Sequence, residues 1–115
     1  MARLASLCVA YFLCMLVHGP PWDDQRGIRD QDGWDEHAAF MDQLVDDGVI
    51  VVGGPVGIGD HTAHLIEGDT ETTVRARLAD DPWAEDGHLT VGSLEPWSLW
   101  LDGRHTGTAG SSGPS

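Results

Sequence analysis

The sequence predicts an α+β domain: a ferredoxin-like βαββαβ plait with an antiparallel four-stranded sheet. Three observations carry that expectation. An apolar run over residues 11–17 stops at His18-Gly19-Pro20. Two stretches, 34–47 and 71–80, repeat apolar residues at helical spacing. Short β-branched or apolar segments lie between and after them, giving the split-βαβ order.

The first strand is the least obvious element. Residues 1–17 look like a secretion signal, with Arg3 ahead of an apolar stretch too short to cross a bilayer. Small residues at cleavage spacing are missing after the run, and aromatic and apolar residues ended by Gly-Pro favour a buried strand. In a βαββαβ plait that strand lies in the middle of the sheet, so removing it would leave the core open. Residues 1–10 are then an N-terminal extension to a domain spanning 11–104.

A polar loop follows, and Gly33 or Asp32 opens a helix over 34–47 with Gly48 behind it. Its apolar arc is Trp34, Ala38, Met41, Leu44 and Val45. Asp46 and Asp47 oppose the helix dipole, so packing must hold the last turn. Residues 49–52 form a β-branched strand closed by Gly53-Gly54-Pro55, and a glycine-rich turn leads to a third strand over 62–67. Asp69 or Thr70 caps the second helix, which buries Val74 and Leu78. Asp81-Pro82 stops it, because proline pushes its predecessor out of the helical region. The last strand covers 89–94. Residues 105–115 are rich in Gly, Ser and Thr and are expected to be a disordered tail.

The bulk properties narrow the partners. At 115 residues the chain fits one domain. Six arginines and no lysine stand against nineteen acids, a formal charge of −13, which repels nucleic acid and anionic membrane surfaces. Cys8 and Cys14 on one extended segment would sit about 20 Å apart, far beyond disulfide reach, so a reducing, cytoplasmic location is the default. A plait with helices on one side leaves a sheet face that a second copy can cover, and a homodimer is expected.

The topology gathers scattered residues at one end of the sheet. His18 ends the first strand, Trp34 to His37 begin the first helix, and Gly54-Pro55 end the second strand. Asp81-Pro82-Trp83 and His88 join them. His37 flanks the apolar arc one turn before Met41, and Asp81 falls in line with Val74 on the inner side of the second helix. An inward carboxylate wants a partner, and an imidazole oriented by it is the arrangement that general acid–base catalysis needs. The plainer alternative is a packed histidine and an aspartate that only closes its helix. Trp34 and Trp83 flank the pair and are candidates to wall a pocket.

Other signals carry less. His61-x-x-His64 has a metal-like look, but three residues along a strand put the rings on opposite faces. Gly53 to Gly59 lacks the Lys-Ser/Thr and helix of a phosphate loop. His18, His37, His88 and Asp81 share no recognised ligand spacing, so no metal or other cofactor is expected.

The motifs Val17-His18-Gly19-Pro20, Gly33-Trp34-Asp35-Glu36-His37-Ala38-Ala39-Phe40-Met41, Gly53-Gly54-Pro55, Asp81-Pro82-Trp83 and Glu95-Pro96-Trp97 occur in that order. In them the chain resembles the YCII-related (YciI-like) family over about residues 11–104. The resemblance implies a dimeric α+β barrel fold, in which two plaits pack sheet to sheet. It also implies an enzymatic role for the family's histidine and aspartate, which fall here on His37 and Asp81. The N-terminal extension departs from the family pattern.

The functional expectation is a cofactor-independent acid–base enzyme of lyase, isomerase or hydrolase type acting on a small organic molecule. His37 shuttles the proton, Asp81 orients it, and His18, Trp34, Gly54, Pro55 and Trp83 bind the substrate. The alternative is a non-catalytic module that binds or senses a small ligand in the same pocket.

Overall fold

The computed structural model describes residues 10–104. Strand β1 (Ala10–His18) is followed by a 3-10 turn (Ile28–Asp30), helix α1 (Trp34–Asp46) and strands β2 (Ile50–Val56) and β3 (His61–Gly68). Helices α2 (Glu71–Ala79) and α3 (Pro82–Asp86) precede strand β4 (Leu89–Pro96). The sheet order is β2-β3-β1-β4 and every pairing is antiparallel. This is the ferredoxin-like plait, with β1 central. Its bounds take in Ala10, which pairs with Gly68, so the sheet begins one residue before the expected domain start.

Alternation along β1 sorts the sheet's two faces. Phe12, Cys14 and Leu16 are buried on one face, and Ile66, His64 and Thr62 of β3 lie opposite them. That face meets the helices through Leu44 of α1, Val74 and Leu78 of α2 and Trp83 of α3. The other face carries Leu13, Met15 and Val17, paired with Leu65, Ala63 and His61. Burial pushes the Cys14 thiol up to about 11, and the side chain is fully enclosed. In a Cys8→Ser background, Cys14 is therefore expected to stay unreactive toward Ellman's reagent at pH 8 until denaturant is added. Rapid labelling of the folded protein would contradict the packing.

Three sequence expectations need correction. The buried line of α1 runs through His37 and Leu44 with Phe40 half-buried, while Val45 is 53% exposed. The apolar arc thus lies slightly to one side of the expected one. The last turn of α1 is held as anticipated by tertiary contact: Asp47 accepts from Gln43 and pairs with Arg77 of α2 at 2.8 Å. Strand β2 does not close at Gly53-Gly54-Pro55 but runs through them to Val56. It can do so because it is an edge strand, where a proline without an N–H breaks no inner ladder.

Third, Asp81-Pro82 ends one helix and starts another. Asp81 is the N-cap of α3, accepting from the Trp83 amide, and Pro82 occupies the first turn. Between the two expected candidate caps for α2, Thr70 serves, in a reciprocal capping box with Thr73. The expected tail over 105–115, Cys8 and the first nine residues lie outside the described residues. No helix among the described residues is long and apolar enough to cross a membrane.

Candidate active-site cleft

The helix-side end of the sheet opens into a cleft of about 920 Å³. Its walls come from the end of β1, the 3-10 region, the first turns of α1 and the β2–β3 hairpin. His37 projects from α1 into the wall and is 5% exposed. Its Nδ1 lies 2.8 Å and 3.0 Å from the two carboxylate oxygens of Asp81. A carboxylate can only accept here, so Nδ1 carries the hydrogen and donates it. The other ring nitrogen, Nε2, has no hydrogen-bond partner among the described residues and is not sealed from solvent. The imidazole thus presents a lone pair to the cleft.

Asp81 lies one layer back, 4% exposed, and is used twice. It accepts from His37 and from the Trp83 amide. The helix-capping role and the contact with histidine coexist in one carboxylate. Trp83 was expected at the cleft wall but is 0% exposed. Its indole stacks on His37 with centroids 4.1 Å apart and planes 10° from parallel, and His88 stacks on it at 5.4 Å. The edge of Trp22 meets it at 5.5 Å, and its Nε1–H donates to the Asp32 carbonyl at 2.8 Å. Trp83 is the rigid backing of His37, and the short α3 turns it inward. A charge developing on His37 would face this indole, a favourable cation–π geometry.

His18, Trp34, Gly54 and Pro55 line the cleft as expected from the topology. His18 is flattened against Trp22, with centroids 3.7 Å apart and planes 9° from parallel. The position directly after it has no room for a side chain, since a Cβ on Gly19 would run into the Gly87 carbonyl oxygen. Gly19 N–H also donates to His88 O at 2.9 Å, which ties the end of β1 to the start of β4. His88 itself is buried and bonds Asp86 at 2.8 Å, so it supports the corner from behind rather than lining it.

Sequence reasoning missed Trp22, Thr62 and His64. His64 faces inward opposite Cys14 and is 8% exposed, while its Nε2 lies 3.0 Å from the Thr62 hydroxyl. Burial, and secondarily His37, holds its imidazole below the ordinary value of 6.5. The signal that it faces inward is the pairing register with β1, which periodicity alone does not supply. The rim is acidic, with exposed Asp24, Asp42 and Asp60. Arg26 lies there too, bonded to Asp23 at 3.0 Å and Asp32 at 3.3 Å. No group of three or more His, Cys, Asp and Glu among the described residues is arranged to hold a metal ion.

No protein-family model matches the sequence, and no curated protein matches it significantly. Among solved structures it is similar to the 5-chloro-2-hydroxyhydroquinone dehydrochlorinase (TftG) of Burkholderia phenoliruptrix AC1100, in complex with 2,5-dihydroxybenzoquinone. The TM-score is 0.53 at 23% identity, covering 83% of this chain and 97% of that one. Element order, sheet order and this likeness together give the fold type: an α+β ferredoxin-like plait with a four-stranded antiparallel sheet.

Proposed function

We propose that the chain is a cofactor-independent acid–base enzyme acting on a small, uncharged, oxygenated organic molecule. The observation that carries this reading is the His37–Asp81 contact, with Nε2 of His37 open to the cleft. In the proposed cycle Nε2 takes a proton from the substrate, and the positive charge forms between the Asp81 carboxylate and the Trp83 face. The same nitrogen then returns the proton to a leaving group, which completes an elimination, or to another atom of the substrate, which completes an isomerisation. In a hydrolysis Nε2 instead takes the proton of an attacking water and passes it to the group that the water displaces. His18, Trp34, Gly54 and Pro55 form the binding surface, whose aromatic and apolar character suits a planar ring.

The structural neighbour's name and its bound quinone make hydroxylated aromatic rings the first substrate class to try. The ordered motifs around His37, Gly54 and Asp81 support membership of the YCII-related family. The apolar sheet face with Leu13, Met15 and Val17 supports a homodimer, and the bulk composition supports the cytoplasm.

The test compares purified wild type and His37→Ala with chlorinated hydroxyhydroquinones, which are neutral phenols near pH 7. Thermal shift reads binding, and chloride release or ring absorbance reads turnover. Wild type is expected to turn over at least one compound. His37→Ala is expected to bind it while losing about 10²–10⁴-fold in kcat. Equal binding by both proteins with no wild-type turnover would make the cleft a ligand-sensing site instead.

A further inference from the structure

His64 has a feature that core packing does not explain. Its Nδ1 is buried and has no hydrogen-bond partner. The atom is pressed against Gly53, where an added Cβ would come within 2.2 Å of it. A hydrogen on Nδ1 would be a buried donor with nothing to receive it, which is costlier than a buried lone pair with no donor. The favoured tautomer therefore carries its hydrogen on Nε2 and donates it to Thr62 Oγ1, 3.0 Å away. That leaves the hydroxyl hydrogen of Thr62 free of His64. No other partner for Thr62 Oγ1 occurs among the described residues, and the residue lines the cleft.

We infer that Thr62, backed by His64, is the hydrogen-bond donor that receives the ligand's oxygen on the sheet wall of the cleft. His64 is a positioning residue: its Nε2–H fixes the direction of the hydroxyl and polarises it. Because His64 is held neutral by burial, the pair offers a directed dipole instead of a standing cation. The device suits an oxygen that enters uncharged and acquires charge only when its proton, or one on a neighbouring carbon, moves to His37 Nε2.

The rim selects in the same sense. Asp24, Asp42 and Asp60 repel permanent anions, and Arg26 is engaged by two aspartates. The ligand class is thus a phenol, enol or enolisable ketone without carboxylate or phosphate. This rests on the acid–base reading above and adds to it the group that stabilises the oxyanion.

The probe is 4-nitrophenol, whose ionised form is coloured, with 4-nitroanisole as the matched compound that cannot ionise. Wild type is expected to favour the bound phenolate, the phenol's proton passing to His37. Thr62→Val is expected to weaken phenolate binding about 10-fold or more, the range for a hydrogen bond to a charged oxygen. It should leave nitroanisole binding unchanged, and Thr62→Ser should restore phenolate binding. His64→Phe, which keeps a ring but removes the N–H, is expected to weaken phenolate in the same direction without affecting nitroanisole. Equal phenolate binding by wild type and Thr62→Val overturns the role of Thr62 and leaves the His37 reading intact. A His64→Phe protein indistinguishable from wild type overturns the backing by His64. Failure of wild type to bind either dye overturns the cleft's proposed ligand class along with both.

Discussion

Trp83→Ala is expected to destabilise the protein by about 3–5 kcal/mol, the range for deleting a large buried aromatic side chain. The reason is the number of groups that use this one indole. It is fully enclosed, stacked on both His37 and His88, in a T-shaped contact with Trp22, and bonded to the backbone of Asp32. Removing it leaves a cavity bounded by rings that cannot collapse together, because His37 is fixed by Asp81 and His88 by Asp86. For a domain of this size each kcal/mol lowers Tm by about 4–8 °C, so the melting point should fall by more than 10 °C. Circular dichroism at 222 nm during thermal or urea denaturation reads the change without relying on tryptophan emission. Trp83→Phe should recover most of the loss. A shift of Trp83→Ala below about 1 kcal/mol would mean that the corner repacks and that the indole is not its support.

Asp81→Asn is expected to lower kcat by about 10²–10⁴-fold while costing little stability. Asparagine caps a helix about as well as aspartate, so the bond to the Trp83 amide and the start of α3 should survive. The carboxylate that orients His37 does not survive. An amide group turned to donate toward Nδ1 would favour the other tautomer, moving the hydrogen to Nε2 and removing the lone pair from the cleft. Asp81→Ala is the informative contrast. It loses the cap as well, at about 1 kcal/mol, and leaves the buried Nδ1–H unpaired at about 1–3 kcal/mol. Ring-nitrogen NMR of His37 shows the tautomer directly, and turnover of the substrate found with wild type gives the rate. A fully active Asp81→Asn enzyme with an unchanged tautomer would reduce Asp81 to a helix cap.

Much of this corner is legible from the sequence because it depends on periods and ends. The strand before His18 and the helix from Trp34 have clear apolar patterns. Asp81 stands seven residues after Val74, in line with the buried side of α2. Topology then brings His37 and Asp81 to the same end of the sheet. What the sequence does not disclose depends on pairing and depth. The inward turn of His64 is set by its register with Cys14 across the ladder. Asp-Pro is both a stop and a start signal, and reading only the stop hides α3. The depth of Trp83 follows from that short helix, since a residue in a loop would have been free to reach the cleft surface. Strand β2 continues through Gly53-Gly54-Pro55 because nothing pairs with its outer side, a property of its place in the sheet and not of its residues.

That outer strand also governs how copies of the protein can meet. Pro55 lies in β2 and Pro96 in β4, and these are the two margins of the sheet. Each proline interrupts the row of backbone donors that an incoming strand would need, and Glu95 adds a charge beside Pro96. Growth of a continuous ribbon from molecule to molecule is therefore discouraged at both margins. Any contact between copies is thus left to the broad faces of the molecule, because its margins resist the edge-to-edge pairing from which fibres grow.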